Sequence, residues 1–91
     1  MNTRQALART LRKIRKARNL TQEDFGVVSS RTYLSSLERG LKSPTLDKIE
    51  AIAQVMTVHP ATLILIAYAI AEDRDPSRTI DEIAVAAKAL L

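Results

Sequence analysis

A short helix predicted from residue 31 to residue 39 carries the side chains best suited to recognising a ligand. Two arginines and three hydroxyl residues lie on it: Arg31, Thr32, Ser35, Ser36 and Arg39. Its firmly apolar residues, Leu34 and Leu37, are spaced i and i+3 and share the other face. The polar face offers short donors and no acidic side chain, which suits a groove of double-stranded DNA.

Catalysis has little support in the same sequence. There is no carboxylate pair, no nucleophile beside a base and no phosphate-cradling glycine loop, and helix geometry explains the two glycines better. The absence of cysteine excludes disulfides and thiolate chemistry, and a single histidine argues against a transition-metal site. We therefore predict that the protein is not an enzyme and needs no cofactor or metal.

Two short helices meeting at a tight corner must position the polar face. The first is predicted to begin at Thr21, with Asp24 completing a capping box. It ends in Val27-Val28-Ser29-Ser30, where β-branched and hydroxyl side chains disfavour a helix. Ser30 is the expected N-cap of the second helix, and Gly40 is the glycine expected at its left-handed end.

This stretch resembles the helix-turn-helix of the phage-repressor type, also called the xenobiotic-response-element (XRE) family. The matching segments are Leu20-Thr21-Gln22-Glu23, Ser30-Arg31-Thr32-Tyr33-Leu34-Ser35, Leu37-Glu38-Arg39-Gly40 and Ser43-Pro44-Thr45-Leu46. With its flanking helices, the resemblance covers about residues 5–66, roughly two thirds of the chain. One departure stands out: the chain is two residues shorter than the family pattern between Gln22 and Tyr33. The turn also lacks the usual glycine, and Gly26 falls where the family keeps a small alanine.

The resemblance implies an all-α fold, a compact five-helix repressor-like domain with an additional C-terminal helix. Residues 1–72 would form the helix-turn-helix DNA-binding domain. Residues 73–91 would form a linker and a C-terminal helix of the same domain, with a role in dimerisation.

The resemblance also implies roles for individual residues. Arg31, Thr32 and Ser36 correspond to family residues that contact base edges. Arg15 corresponds to an arginine that bridges a phosphate and Glu38. The predicted phosphate contacts are Arg15, Gln22, Tyr33, Ser35, Arg39 and Lys42. The alternative for each is a solvated surface residue.

The N-terminal helix, predicted over residues 3–18, combines an apolar stripe with most of the positive charge. Leu7, Leu11 and Ile14 form the stripe. Residues 1–20 contain seven basic and no acidic side chains, whereas the whole chain has a net charge of +4. The positive field is therefore concentrated at one end of the chain.

The C-terminal third is strongly apolar. A scaffold helix capped by Thr45 is followed by His59 as a cap and then by the segment 61–71, which is apolar on almost every face but too short for a bilayer. The final helix is predicted from Thr79, with Glu82 in its capping box. We predict a dimer interface made by Leu65, Ile66, Tyr68, Ile70, Ile80, Ile83, Ala87 and Leu90. Packing within one chain is the alternative.

These features predict a transcriptional repressor that binds a pseudo-palindromic operator in double-stranded DNA as a homodimer. In one alternative, Glu23 and Asp24 touch RNA polymerase and activate transcription, although roles in the capping box and with the helix dipole also explain them. In another, the chain is a protein-binding module, such as an antitoxin-like partner, whose residues 61–91 cover another protein. The cysteine-free composition and the absence of a signal-peptide pattern predict a cytoplasmic protein without a membrane segment, associated with the nucleoid when bound to DNA.

Overall fold

The computed structural model describes residues 1–91 as five α-helices and one 3₁₀ turn, with no strand. The α-helices are α1 (Thr3–Ala17), α2 (Arg31–Glu38), α3 (Leu46–Met56), α4 (Pro60–Ala71) and α5 (Pro76–Leu90), and the 3₁₀ turn is Gln22–Phe25. The predicted all-α class is confirmed.

Local caps explain most helix boundaries. Thr21 and Asp24 form the predicted capping box, and the Ser30 hydroxyl accepts a hydrogen bond from the Tyr33 N–H. His59 caps α4 through its Nδ1 atom, as predicted. Gly40 ends α2 with a φ of +72°, a left-handed conformation that strains any residue with a Cβ atom.

The first helix of the corner is shorter than predicted. After Phe25 the chain makes tight turns, in which the N–H groups of Val28 and Ser29 both donate to the Phe25 carbonyl. A Cβ atom at Gly26 would lie 3.2 Å from the Glu23 carbonyl oxygen and meet no other helix. The small residue therefore serves the 3₁₀ turn itself, and not a close approach of two helices.

The N-cap of the final helix lies four residues earlier than predicted, at Asp75, so the expected start at Thr79 is wrong. Asp75 is the N-cap and accepts from the Ser77 N–H, while Pro76 takes the first helical position. Thr79 is buried, and its hydroxyl donates to the Asp75 carbonyl. Glu82 pairs with Arg74 and plays no part in a cap.

One apolar core joins every element before α5. Its buried members are Leu11, Phe25, Leu34, Leu37, Ile49, Ile52, Ala53, Met56 and Leu63. The predicted core residues Phe25, Leu34 and Leu37 belong to it, and Leu20 packs against it from its margin. Helix α4 packs on α1 and α3 and, on its remaining side, on the start of α5.

None of the helices alone has the length and apolarity needed to span a membrane. Helices α3 and α4 meet that test only as a pair, and they are bent by 103° at their junction.

Candidate nucleic-acid interface

Helix α2 rests on the core through Leu34 and Leu37, which are almost fully buried. This packing turns the opposite side of the helix outwards. Gln22, Arg31, Thr32, Ser35 and Arg39 line one shallow hollow there, and none of the side chains that line it is apolar. The structure thus brings Arg31 of α2 and its C-cap Arg39 together with Gln22 from the 3₁₀ turn.

Ser36 is not part of that hollow. It is only 8% exposed, so the prediction that it contacts a base edge disagrees with its position. At 3.6 residues per turn, Ser36 lies about a quarter-turn from the packed Leu37, and its short side chain does not extend beyond the neighbouring surface. Ser35, predicted only as a phosphate contact, occupies the open side instead.

A buried ion pair holds α2 to α1. Arg15 donates from Nε to Glu38 Oε2 at 2.7 Å and from Nη2 to Glu38 Oε1 at 2.9 Å. Its Nη1 atom donates to the Leu20 carbonyl at 2.9 Å. The Arg15 and Glu38 side chains are 12% and 4% exposed, and their hydrogen bonds raise the pKa of Arg15. The predicted Arg15–Glu38 bridge is therefore present.

Gln22 completes this network, because its Nε2 atom donates to Glu38 Oε1 at 3.2 Å. This hydrogen bond braces α2 against the 3₁₀ turn. A guanidinium has five N–H donors, and three of those of Arg15 are engaged. Two N–H donors remain, so Arg15 can still make the predicted contact with a phosphate.

Two lysines lie on the side of α2 away from the polar hollow. The Lys42 and Lys48 ammonium groups lie 5.6 and 5.4 Å from the centre of the Tyr33 ring. Cation–π attraction at these distances favours both positions. Tyr33 is half-buried and Lys42 is exposed, which places this predicted pair of phosphate contacts at one edge of the α2 surface.

Lys48 was missed by the sequence analysis. Its Nζ atom also donates to the Val28 carbonyl at 2.6 Å, so it ties the first turn of α3 to the shortened corner. One sequence signal could have drawn attention to it: a lysine in the first turn of a helix, where the helix dipole disfavours a cation.

Arg31 has a partner that its own helix does not supply. Its Nη1 atom donates to Glu23 Oε1 at 3.3 Å, and the two side chains are 71% and 73% exposed. The polar face of α2 carries no acidic residue of its own. The 3₁₀ turn brings the Glu23 carboxylate to the edge of that face.

The predicted dimer residues divide between two helices. Leu65, Ile66 and Ile70 on α4 are partly covered, while Tyr68 is exposed. On α5, Ile80 and Ile83 are about half exposed and Leu90 is almost fully exposed. Every residue from Val85 to Leu91 is exposed, so the apolar side of this part of α5 is open.

Known proteins resemble this chain in sequence. The sequence profile of a helix-turn-helix family (HTH_3) matches residues 11–63. An uncharacterized HTH-type transcriptional regulator, y4dJ, of Sinorhizobium fredii (strain NBRC 101917 / NGR234) is 35% identical over 66 residues, which are 70% of this chain and 86% of that protein. The control protein C.BamHI of Bacillus amyloliquefaciens is 36% identical over 66 residues, 69% of this chain and 82% of that protein.

Proposed function

Because the chain belongs to the helix-turn-helix family of DNA-binding transcription regulators, we propose that it is a repressor that binds a pseudo-palindromic operator as a homodimer. The observation that carries the proposal is the polar hollow on α2. It presents two arginines, a threonine, a serine and Gln22 to the outside, on a helix held from beneath by leucines.

In the proposed complex, α2 enters the major groove and its side chains read base edges. Arg31 donates two hydrogen bonds to guanine, and Thr32 offers its hydroxyl to a base or its methyl group to thymine. Ser35 replaces Ser36 in this role, because it lines the hollow with them. The proposed phosphate contacts are Arg15, Gln22, Tyr33, Arg39 and Lys42.

The open apolar side of α5 supports the homodimer. Ile80, Ile83 and Leu90 leave large apolar surfaces in water, which is typical of a protein interface. Joining two copies through α5 and the neighbouring Tyr68 would bury these surfaces and present two α2 helices to one duplex. A symmetric dimer requires half-sites about one helical turn, roughly 34 Å, apart.

Selection of bound sequences from a random DNA pool tests the proposal. We expect a two-fold symmetric motif with half-sites separated by one helical turn, together with sedimentation of the free protein as a dimer at micromolar concentration. A repressor should lower transcription from a promoter that overlaps the selected site. No enrichment from the pool would refute the proposal, and a monomer in sedimentation would refute its dimer.

The same apolar surface favours one second candidate, an antitoxin-like partner whose C-terminal helices cover a different protein. Co-purification of a heterologous partner that requires residues 61–91 would support this alternative. Activation through Glu23 and Asp24 gains no support from the structure. The Asp24 carboxylate accepts hydrogen bonds from the Thr21 N–H and hydroxyl, and Glu23 pairs with Arg31.

A further inference from the structure

Glu23 occupies an unusual place for an acidic residue beside a proposed DNA surface. Its carboxylate accepts from Arg31 Nη1 at 3.3 Å and makes no other hydrogen bond or ion pair. The capping box of the 3₁₀ turn is formed by Thr21 and Asp24, so capping leaves the Glu23 side chain free. Capping therefore does not explain the position of the Glu23 side chain, and its contact with Arg31 does.

We propose that Glu23 is a positioning residue that directs the Arg31 guanidinium towards guanine and makes the protein more selective among DNA sequences. The proposal rests on the DNA-binding function proposed above and deepens it. It assigns to the recognition surface a residue that lies outside α2.

The geometry of the guanidinium allows both contacts at once. Arginine has five N–H donors in a planar fork, and the recorded contact with Glu23 uses only one, on Nη1. The Nε and Nη2 donors remain parallel and unoccupied, which is the arrangement that matches the O6 and N7 acceptors of guanine. Holding one edge of a flexible side chain lowers the entropy lost when the other edge binds.

The same carboxylate acts against binding to any other sequence. DNA phosphates repel Glu23 wherever the protein lands, and at a site without guanine opposite Arg31 nothing offsets that repulsion. Discrimination between partners is a difference of affinities, so a group that weakens the wrong complex increases selectivity as effectively as one that strengthens the right complex.

The test compares Glu23→Gln with the unaltered protein on two duplexes of equal length, the selected operator and a random sequence. Glutamine keeps the size of the side chain and removes its charge. We expect tighter binding to the random duplex with little gain on the operator, so that the ratio of the two affinities falls by about two- to fivefold, the range expected of an exposed ion pair. The selected motif should lose part of its preference at one G·C pair.

Two further variants separate positioning from charge alone. Glu50→Gln removes one negative charge from an exposed side chain on α3 that forms no ion pair, and we expect it to change both affinities by the same factor. In an Arg31→Ala background, Glu23→Gln should likewise change both affinities equally, because the residue that it positions is gone.

The inference is overturned if Glu23→Gln in the otherwise unaltered protein shifts operator and random DNA equally, or if its effect on selectivity persists without Arg31. The proposed function fails separately, when the unaltered protein enriches no sequence and binds neither duplex. Because Glu23, Arg31 and Glu50 are all exposed, the variants at these positions should keep the unfolding midpoint of the unaltered protein.

Discussion

Helices α2 and α5 both lie at the surface of the protein, but they expose opposite chemistry. Helix α2 buries Leu34 and Leu37 and turns arginine and hydroxyl side chains outwards. Helix α5 turns isoleucine, valine and leucine side chains outwards and buries only Thr79 fully. The first surface is complete without another protein, whereas the second leaves apolar area that a partner would cover.

An Arg–Glu ion pair links each of these helices to a neighbouring part of the chain. The two pairs differ in how far they are buried. The Arg15–Glu38 pair is bidentate, almost excluded from water and extended by Gln22. The Arg74–Glu82 pair lies in solvent, although its hydrogen bond raises the pKa of Arg74 and lowers that of Glu82. Water screens the exposed pair, so it should contribute less to holding α5 than the Arg15–Glu38 pair contributes to holding α2.

The largest effect is expected from Glu38→Ala, which would leave the largely buried Arg15 guanidinium without its charged partner. Breaking a buried ion pair in this way typically costs about 3–5 kcal/mol. Denaturant unfolding measured by circular dichroism should show a loss of stability in that range. Glu82→Ala is the matched control, and we expect no measurable change because that carboxylate is solvated. Equal losses in both variants would remove the distinction between the two pairs.

A smaller effect is expected at α5, from Ile80→Ser combined with Ile83→Ser. Both side chains are about half exposed in the single chain, so the two substitutions should cost less stability than substitutions in the core. If they are buried between two copies, losing them should weaken association by about 2–3 kcal/mol. Sedimentation across a concentration series measures this change. An unaltered dimer would exclude this side of α5 from the interface.

Replacement of Arg31 by alanine is expected to cost about 1–3 kcal/mol of operator affinity and to relax the preference at one base pair. Stability should stay unchanged, because the side chain is 71% exposed. Titration of operator and random duplexes, monitored by fluorescence anisotropy, provides the measurement. Equal losses on the two duplexes would mean that Arg31 contacts phosphate and reads no base.

The smallest effect is expected from Lys42→Ala. Lys42 lies over the Tyr33 ring at the edge of the α2 surface, where a cation attracts phosphate without reading sequence. We expect weaker binding to all sequences alike and a salt slope reduced by about one. A loss confined to the operator would instead assign a base contact to this lysine.

How well the sequence predicted a feature depended on how far apart in the chain its interacting residues lie. The caps at Thr21, Ser30 and His59 were predicted correctly, because a cap involves residues two or three positions apart. The start of α5 was missed although Asp75-Pro76 is also a local signal, because Thr79 and Glu82 offered a competing capping box of the same kind. The Arg15–Glu38 bridge was found through family resemblance, since no periodicity links residues 23 positions apart.

The sequence alone therefore determined the helical class, the apolar face beneath α2, the concentration of positive charge near the N-terminus and the apolar excess of the last third. Each of these follows from side-chain type and helical period, which are local properties. Tertiary structure decided that Ser36 turns inwards, that Glu23 reaches Arg31 and that Lys48 reaches Val28. Those outcomes depend on the path of a shortened turn, and a shift of one residue there rotates each side chain of the next helix by about 100°.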